Sequence, residues 1–131
     1  MNIEENGQPT ANRDDVTWAM AAHLSAFLGH FLPPIGQIIG PALIWLFRRD
    51  RSAFVGGEAR EALNAQISYT IYWVILGAIA AGLSLTIILI PLAILLLALA
   101  YVGYVVVIIL ATVEASKGKP YRYPFIMRFV K

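Results

Sequence analysis

The feature that most constrains this chain is a long stretch without charge. Residues 62–113 contain no Asp, Glu, Lys or Arg, a run of 52 residues in a chain of 131. Because a transmembrane helix needs about 20 apolar residues, this run is long enough for two spans and the turn between them. Only 14% of the chain is charged, against about 25% in soluble domains. The sequence therefore predicts an integral membrane protein.

A second stretch without formal charge, residues 18–47, is interrupted by Pro33-Pro34. Neither proline donates a backbone hydrogen bond, so a helix must break there. At about 1.5 Å per residue, each piece is roughly 20–25 Å long, short of the about 30 Å of hydrocarbon in a bilayer. One continuous helix of about 45 Å would be too long without strong tilt. We therefore expect a helical hairpin, with a single kinked crossing as the alternative.

Residues 16–131 are predicted to form one helical membrane domain, and the polar, acidic residues 1–15 a disordered N-terminal tail. The expected fold class is all-α: a helix–Pro-Pro break–helix hairpin followed by two long transmembrane helices. This gives four helical segments, or three spans in the alternative. The third segment is expected to begin after a turn at Gly56-Gly57. The predicted segments are 16–32, 35–47, 58–86 and 91–115, with an interfacial C-terminal tail at 117–131.

The distribution of basic residues predicts an orientation. Cations concentrate in residues 48–60 and 117–131, whereas the turn at 85–91 carries none. By the positive-inside rule, the 48–60 loop and the C-terminus are expected to face the cytoplasm. The hairpin places the N-terminus on that side as well, and a single crossing places it outside.

Several polar residues stand within or beside the apolar segments. Glu61, Asn64 and Ser68 follow helical spacing, so they share one face of the third segment, which we expect to face protein rather than lipid. Gln37, beside the prolines, is positioned to meet that face. The predicted polar intramembrane cluster is either a structural clasp or the lining of a polar path or partner site. Its candidate members are His23, His30, Gln37, Glu61, Asn64, Gln66 and Ser68.

The sequence offers little support for catalysis or metal binding. It contains no cysteine, no phosphate-binding glycine loop, and no paired carboxylates in its apolar core. His23 and His30 are seven residues apart, or about 10 Å along one helix face, so by themselves they do not chelate one metal ion. We predict a non-enzymatic protein without a cofactor or a bound metal.

Small residues four apart allow two helices to approach closely. Gly36 and Gly40 form a G-x-x-x-G pattern, and Gly77 and Ala81 repeat the spacing in the third segment. These four residues are candidates for helix packing, either within one chain or between copies.

The C-terminal tail mixes aromatic and basic residues. Aromatic rings prefer the membrane interface, and cationic side chains reach lipid phosphates. Tyr121, Arg122, Tyr123 and Arg128 are therefore predicted to form an interfacial anchor. So short a basic segment beside a membrane span is not expected to bind nucleic acid.

Three motifs, "AAHLSAFLGHFLPPIGQIIGPALIWLFRRDRSAFV", "EALNAQIS" and "GKPYRYPFIMRFVK", resemble a widespread bacterial family of small membrane proteins of unknown function. That family is remotely similar to the Tic-twenty type of chloroplast protein-import component. The resemblance covers residues 17–131 and implies a compact helical protein of the bacterial inner membrane, without established catalytic residues. The matching positions are His23, Pro33, Gly36, Gly40, Pro41, Glu61, Asn64, Gln66, Tyr123 and Pro124.

These features lead to two hypotheses about function. The first is a non-enzymatic membrane subunit or adaptor, in contact with the lipid bilayer, that packs against other membrane proteins or against itself. The second is a homo-oligomeric channel or protein-translocation component. The second requires an oligomer, because three or four helices do not enclose a wide pore.

Overall fold

The structure, a computed structural model, describes residues 12–131, and within them every regular element is helical. The all-α fold class predicted from the sequence is confirmed. The four α-helices are α1 (Arg13–Leu24), α2 (Gly36–Arg48), α3 (Ala53–Ser84) and α4 (Ile90–Ser116), and two 3₁₀ helices, Ser25–His30 and Ile87–Leu89, follow α1 and precede α4.

Helix α1 begins earlier than the sequence indicated. The side chain of Asn12 accepts a hydrogen bond from the backbone N–H of Asp15 at 2.8 Å, which caps the helix. Asp14 and Asp15 lie in its first turn, where the positive end of the helix dipole favours acidic residues, as their position just before residue 16 indicated. The rest of the predicted disordered tail, residues 1–11, lies outside the described residues.

The chain reverses direction at Pro33-Pro34, so that α2 runs back along α1. At the open end of this pair, the Arg48 guanidinium lies 4.0 Å from the centre of the Trp18 ring, and its Nη1 atom lies 3.8 Å from Asp14 Oδ2. These contacts join the end of α2 to the start of α1, which a single crossing would hold far apart. The predicted hairpin is confirmed.

The first pair of small residues packs this hairpin together. A Cβ atom on Gly36 would lie 2.4 Å from the carbonyl oxygen of Leu28. A Cβ atom on Gly40 would lie 2.4 Å from Ser25 Cβ. Both positions are buried, so the G-x-x-x-G pattern here serves close contact within one chain.

Helix α3 begins at Ala53 rather than at residue 58. Ser52 caps it by accepting a hydrogen bond from the Val55 N–H at 3.2 Å, and the helix then runs through Gly56-Gly57, where the sequence predicted a turn. Gly56 is needed for packing instead, because a Cβ there would lie 3.0 Å from Arg49 Cα at the end of α2.

Helix α3 and the segment that contains α4 are long and apolar enough to cross a membrane. The shorter α1–α2 hairpin covers only part of their length, because its turn lies beside Thr70 of α3 and Tyr101 of α4. Residues 75–99 of the long hairpin extend beyond it, and we call them the distal hairpin. Among them only Ala80 and Ala93 are buried.

Candidate functional site

The C-terminal tail folds back along α3 and covers its polar first half. Backbone groups of residues 121–130 bond to side chains of α3, and two tail side chains reach buried partners on α1 and α3. We call this arrangement the polar clasp. Its polar members are His23, Glu58, Glu61, Asn64, Ser68, Tyr123 and Arg128.

At the centre of the clasp, His23 joins three parts of the chain. Its Nε2 lies 2.7 Å from Glu58 Oε2, and its Nδ1 lies 2.8 Å from the Tyr123 hydroxyl. Because a carboxylate only accepts, Nε2 donates to Glu58, and in the neutral ring Nδ1 accepts from Tyr123. The three side chains are 0%, 3% and 3% exposed. A hydroxyl, an imidazole and a carboxylate therefore stand in series, sealed from solvent and lipid.

Glu61 forms the second connection of the clasp. Arg128 Nη2 donates to Glu61 Oε1 at 2.7 Å and Arg128 Nε donates to Oε2 at 3.2 Å. The Tyr123 N–H also donates to Oε1, at 2.9 Å. A two-point guanidinium–carboxylate contact of this kind fixes geometry as well as charge.

Asn64 and Ser68 hold the last part of the tail through its backbone. The Asn64 amide donates to the Val130 carbonyl at 2.9 Å and accepts from the Val130 N–H at 2.7 Å. Ser68 Oγ forms the same kind of double contact with Met127, at 3.0 and 2.8 Å. The backbone N–H and C=O groups of an extended tail have no hydrogen-bond partners within the tail itself. The face shared by Glu61, Asn64 and Ser68 supplies them.

Burial in the clasp changes the acidity of its tyrosines. Desolvation raises the pKa of Tyr123 well above its ordinary value, and neighbouring tyrosines and Glu58 add to the effect. Desolvation also raises the pKa of Tyr121, with a smaller contribution from Glu114. Both hydroxyls therefore remain protonated at neutral pH, which suits Tyr123 as the donor to His23.

A crevice of about 410 Å³ lies at the proline turn, apart from the clasp. His30 Nε2 lies 2.7 Å from the Tyr101 hydroxyl there, and Gln37 donates to Thr70 rather than to the face of Glu61. The cluster predicted from the sequence is thus divided between two places. Gln66 is buried between them, and its Oε1 accepts from the Tyr104 hydroxyl at 2.7 Å.

The predicted interfacial anchor differs from the observed tail. Tyr123 is buried and Arg128 points to Glu61, because the clasp offers them acceptors that would otherwise stay unpaired. Arg122 is exposed and Tyr121 is half-buried. Gly77 and Ala81 are also exposed, and a Cβ on Gly77 would meet nothing within 4 Å.

Several participants were missing from the predicted cluster: Tyr123 and Arg128 were assigned to the anchor, and Glu58, Thr70, Tyr101 and Tyr104 were assigned to no site. Glu58 lies three residues before Glu61 on the same helix, a spacing that was available in the sequence. Tyr101 and Tyr104 are hydroxyl-bearing residues in an otherwise apolar stretch of α4, which is a weaker signal. Among the described residues, no three His, Asp or Glu side chains come together in a group that could hold a metal ion.

Comparison with known protein families identifies the family of this chain. The family model of the magnetosome magnetite crystal formation proteins, MamF/MmsF, matches residues 14–130. The chain belongs to this family. The match runs from the first turn of α1 to the last hydrogen-bonded residue of the clasp, so it covers the whole architecture described above.

The MamF/MmsF assignment places the chain in a membrane protein family involved in magnetosome crystal formation. A small membrane protein family was expected from the sequence, but nothing found here supports similarity to the Tic-twenty import component. No curated protein and no solved structure matches the chain.

Proposed function

We propose that the chain is a non-enzymatic membrane subunit that packs against other membrane proteins, within the crystal-forming process for which its family is named. The observation that carries this proposal is the distal hairpin. It projects beyond the α1–α2 hairpin, and one face of α3 there consists of exposed small residues, Gly77, Ala78, Ala81 and Gly82.

Leu76 lines a cavity with Ala100 and Gly103 of α4, and Ala80, one turn further along the same side of α3, is buried. The face of small residues therefore lies on the side of α3 away from α4. Lipid chains gain nothing from small side chains, whereas a second helix can approach them closely. On the clasp side of the proline turn, Gly56 of α3 already allows such a close approach, because a Cβ there would lie 3.0 Å from Arg49 Cα at the end of α2. In the distal hairpin, the small-residue face of α3 has no partner within the described residues. This favours a helix from another membrane protein as its partner.

The buried geometry of the clasp supports a non-enzymatic role. Tyr123, His23 and Glu58 form a series that resembles a proton relay, but all three side chains are inaccessible to a substrate. The side-chain nitrogen and oxygen of Asn64 are likewise both occupied by hydrogen bonds to the backbone of Val130. Because these polar groups are bonded within the chain, no observation favours a channel lined by Asn64 over the adaptor.

Site-specific photo-crosslinking in native cells tests the proposal. A benzoylphenylalanine at Ala81 should give discrete protein adducts, because that face would lie against a partner helix. The same group at Ile79, at equal depth on another side of α3 and 47% exposed, serves as the control. Equal or lipid-only labelling at both positions would refute a partner at this face.

We also propose that the protein resides in a bacterial inner membrane with both termini and the 48–60 loop in the cytoplasm. The contacts of Arg48 with Trp18 and Asp14 support this, since they bring the N-terminal end of α1 to that loop. The chain has no cysteine, so single cysteines at Asn12 and Ser116 can be tested with an impermeant maleimide. Both should react only after lysis, and reaction at Asn12 in intact cells would contradict this topology.

A further inference from the structure

Three cations line one cavity at the open end of the α1–α2 hairpin: two lie on either side of the α2–α3 connection, and the third is the distant Lys131. The cavity, of about 350 Å³, lies between the end of α2 and the first turns of α3. Arg49, Arg60 and Lys131 line it, together with Trp45 and one acidic side chain, Asp50. The folded tail is what brings Lys131 to the two arginines.

The charges around this cavity are unbalanced, unlike those of the clasp. Arg128 and Arg48 have carboxylate partners, but within the described residues Arg49, Arg60 and Lys131 have none within salt-bridge distance. Counted over the side chains that line the cavity, three positive groups face one negative group, a side-chain charge of +2. An anion entering it would meet cations that the protein itself does not neutralise.

Arg49 is oriented before any ligand arrives. Its guanidinium lies 4.6 Å from the centre of the Trp45 ring, a cation–π contact that holds the group by its face. The N–H groups at the edge of the guanidinium are then free to bind an anion. A planar fork of donors suits the paired oxygens of a phosphate group.

We infer that this cavity binds the phosphate group of an anionic membrane lipid. Beside Trp45, α2 presents an exposed apolar surface: Leu46 is 53% exposed, and Ile39, two turns earlier on the same helix face, is 42% exposed. A lipid could therefore place its phosphate among the cations and its acyl chains along α2. A free phosphate would use only the charged part of this surface.

Native mass spectrometry of the purified full-length chain in detergent tests the inference. The probes are dioleoyl phosphatidylglycerol, dioleoyl phosphatidylcholine of equal chain length, and inorganic phosphate as a competitor. We expect retention of the anionic lipid. Since one cation near a membrane contributes about 1 kcal/mol, Arg60→Gln and Lys131→Gln should each weaken this binding about fivefold.

Matched variants separate the cavity from general surface charge. Arg122→Gln and Lys119→Gln remove the same charges from exposed tail positions that do not line the cavity, and they should leave binding unchanged. Asp50→Asn should strengthen binding, because it removes the carboxylate that opposes the anion. Circular dichroism of each variant establishes that it is folded.

The outcomes are distinct. Loss of binding in the cavity variants alone, without competition by inorganic phosphate, supports a lipid site. Effective competition by inorganic phosphate would assign the cavity to a soluble phosphate and overturn the lipid assignment. Equal effects of the cavity and tail variants, or equal retention of the two lipids, would overturn the site itself. None of these results depends on a partner at Ala81.

Discussion

The two ends of this molecule are held together by different forces. In the polar clasp, the tail, α1 and α3 bury His23, Glu58, Glu61 and Asn64, and hydrogen bonds between distant parts of the chain satisfy them. In the distal hairpin, two apolar helices bury only Ala80 and Ala93.

This difference indicates that the clasp stabilises the fold and that the distal hairpin provides a surface for association. Within a membrane the apolar distal hairpin gains little from burial, because lipid chains are as apolar as its side chains. Buried polar groups at the clasp, in contrast, have no comparable partner if the tail leaves. Changes in the clasp should therefore alter folding, whereas changes in the distal hairpin should alter association.

The largest effect is expected at His23. The His23→Leu variant leaves the Glu58 carboxylate buried without its imidazole partner and should destabilise the protein by about 3–5 kcal/mol. Unfolding by SDS in mixed micelles, followed by far-UV circular dichroism, measures the loss. His30→Leu is the control, since His30 is exposed and outside the clasp. A similar loss of stability in the two variants would contradict the role of the clasp in stabilising the fold.

A glycine pair compares packing in the two regions directly. Gly40→Ala pushes a methyl group against Ser25 and should cost about 1–3 kcal/mol. Gly77→Ala meets nothing within 4 Å and should be neutral, or stabilising by up to about 1 kcal/mol through helix propensity. The same SDS titration measures both, and a loss at Gly77 as large as that at Gly40 would refute the assignment of packing.

Asn64→Ala should loosen the end of the tail without unfolding the helices. It removes the two hydrogen bonds to Val130, at about 1 kcal/mol each, and leaves the Glu61–Arg128 pair in place. Hydrogen exchange should accelerate at the Val130 amide and remain slow in α4. Unchanged exchange at Val130 would show that Asn64 does not hold the tail.

The smallest expected effect is a dependence on alkaline pH. Because burial raises the pKa of Tyr123 in the folded state, its contribution to stability is complete below the ordinary tyrosine value near 10 and is lost as the pH rises above it. At pH 10.5, the titration of Tyr123 lowers the free energy of unfolding by less than about 1 kcal/mol.

Tyr123→Phe lacks this titration. The variant should be less stable than the parent protein at pH 8, because His23 loses a donor, and the difference should narrow above pH 10. A constant difference across this range would mean that Tyr123 is not the group that titrates.

Local sequence patterns determined much of the fold. The charge-free run at residues 62–113 requires two membrane-length helices, and Pro33-Pro34 requires a break, because these constraints act on neighbouring residues. Helical spacing also places Glu61, Asn64 and Ser68 on one face that must avoid lipid. The sequence was a weaker guide at helix starts, where the Asn12 and Ser52 caps extended α1 and α3 beyond the predicted limits.

Only the tertiary structure decided what covers that polar face. Tyr123 reaches His23 across 100 positions of sequence, and Arg128 reaches Glu61 across 67. Periodicity within a segment carries no information about such pairs, so an aromatic and basic tail is indistinguishable from a membrane anchor. The tail turns inward because the buried carboxylates, imidazole and amide need partners that lipid cannot provide.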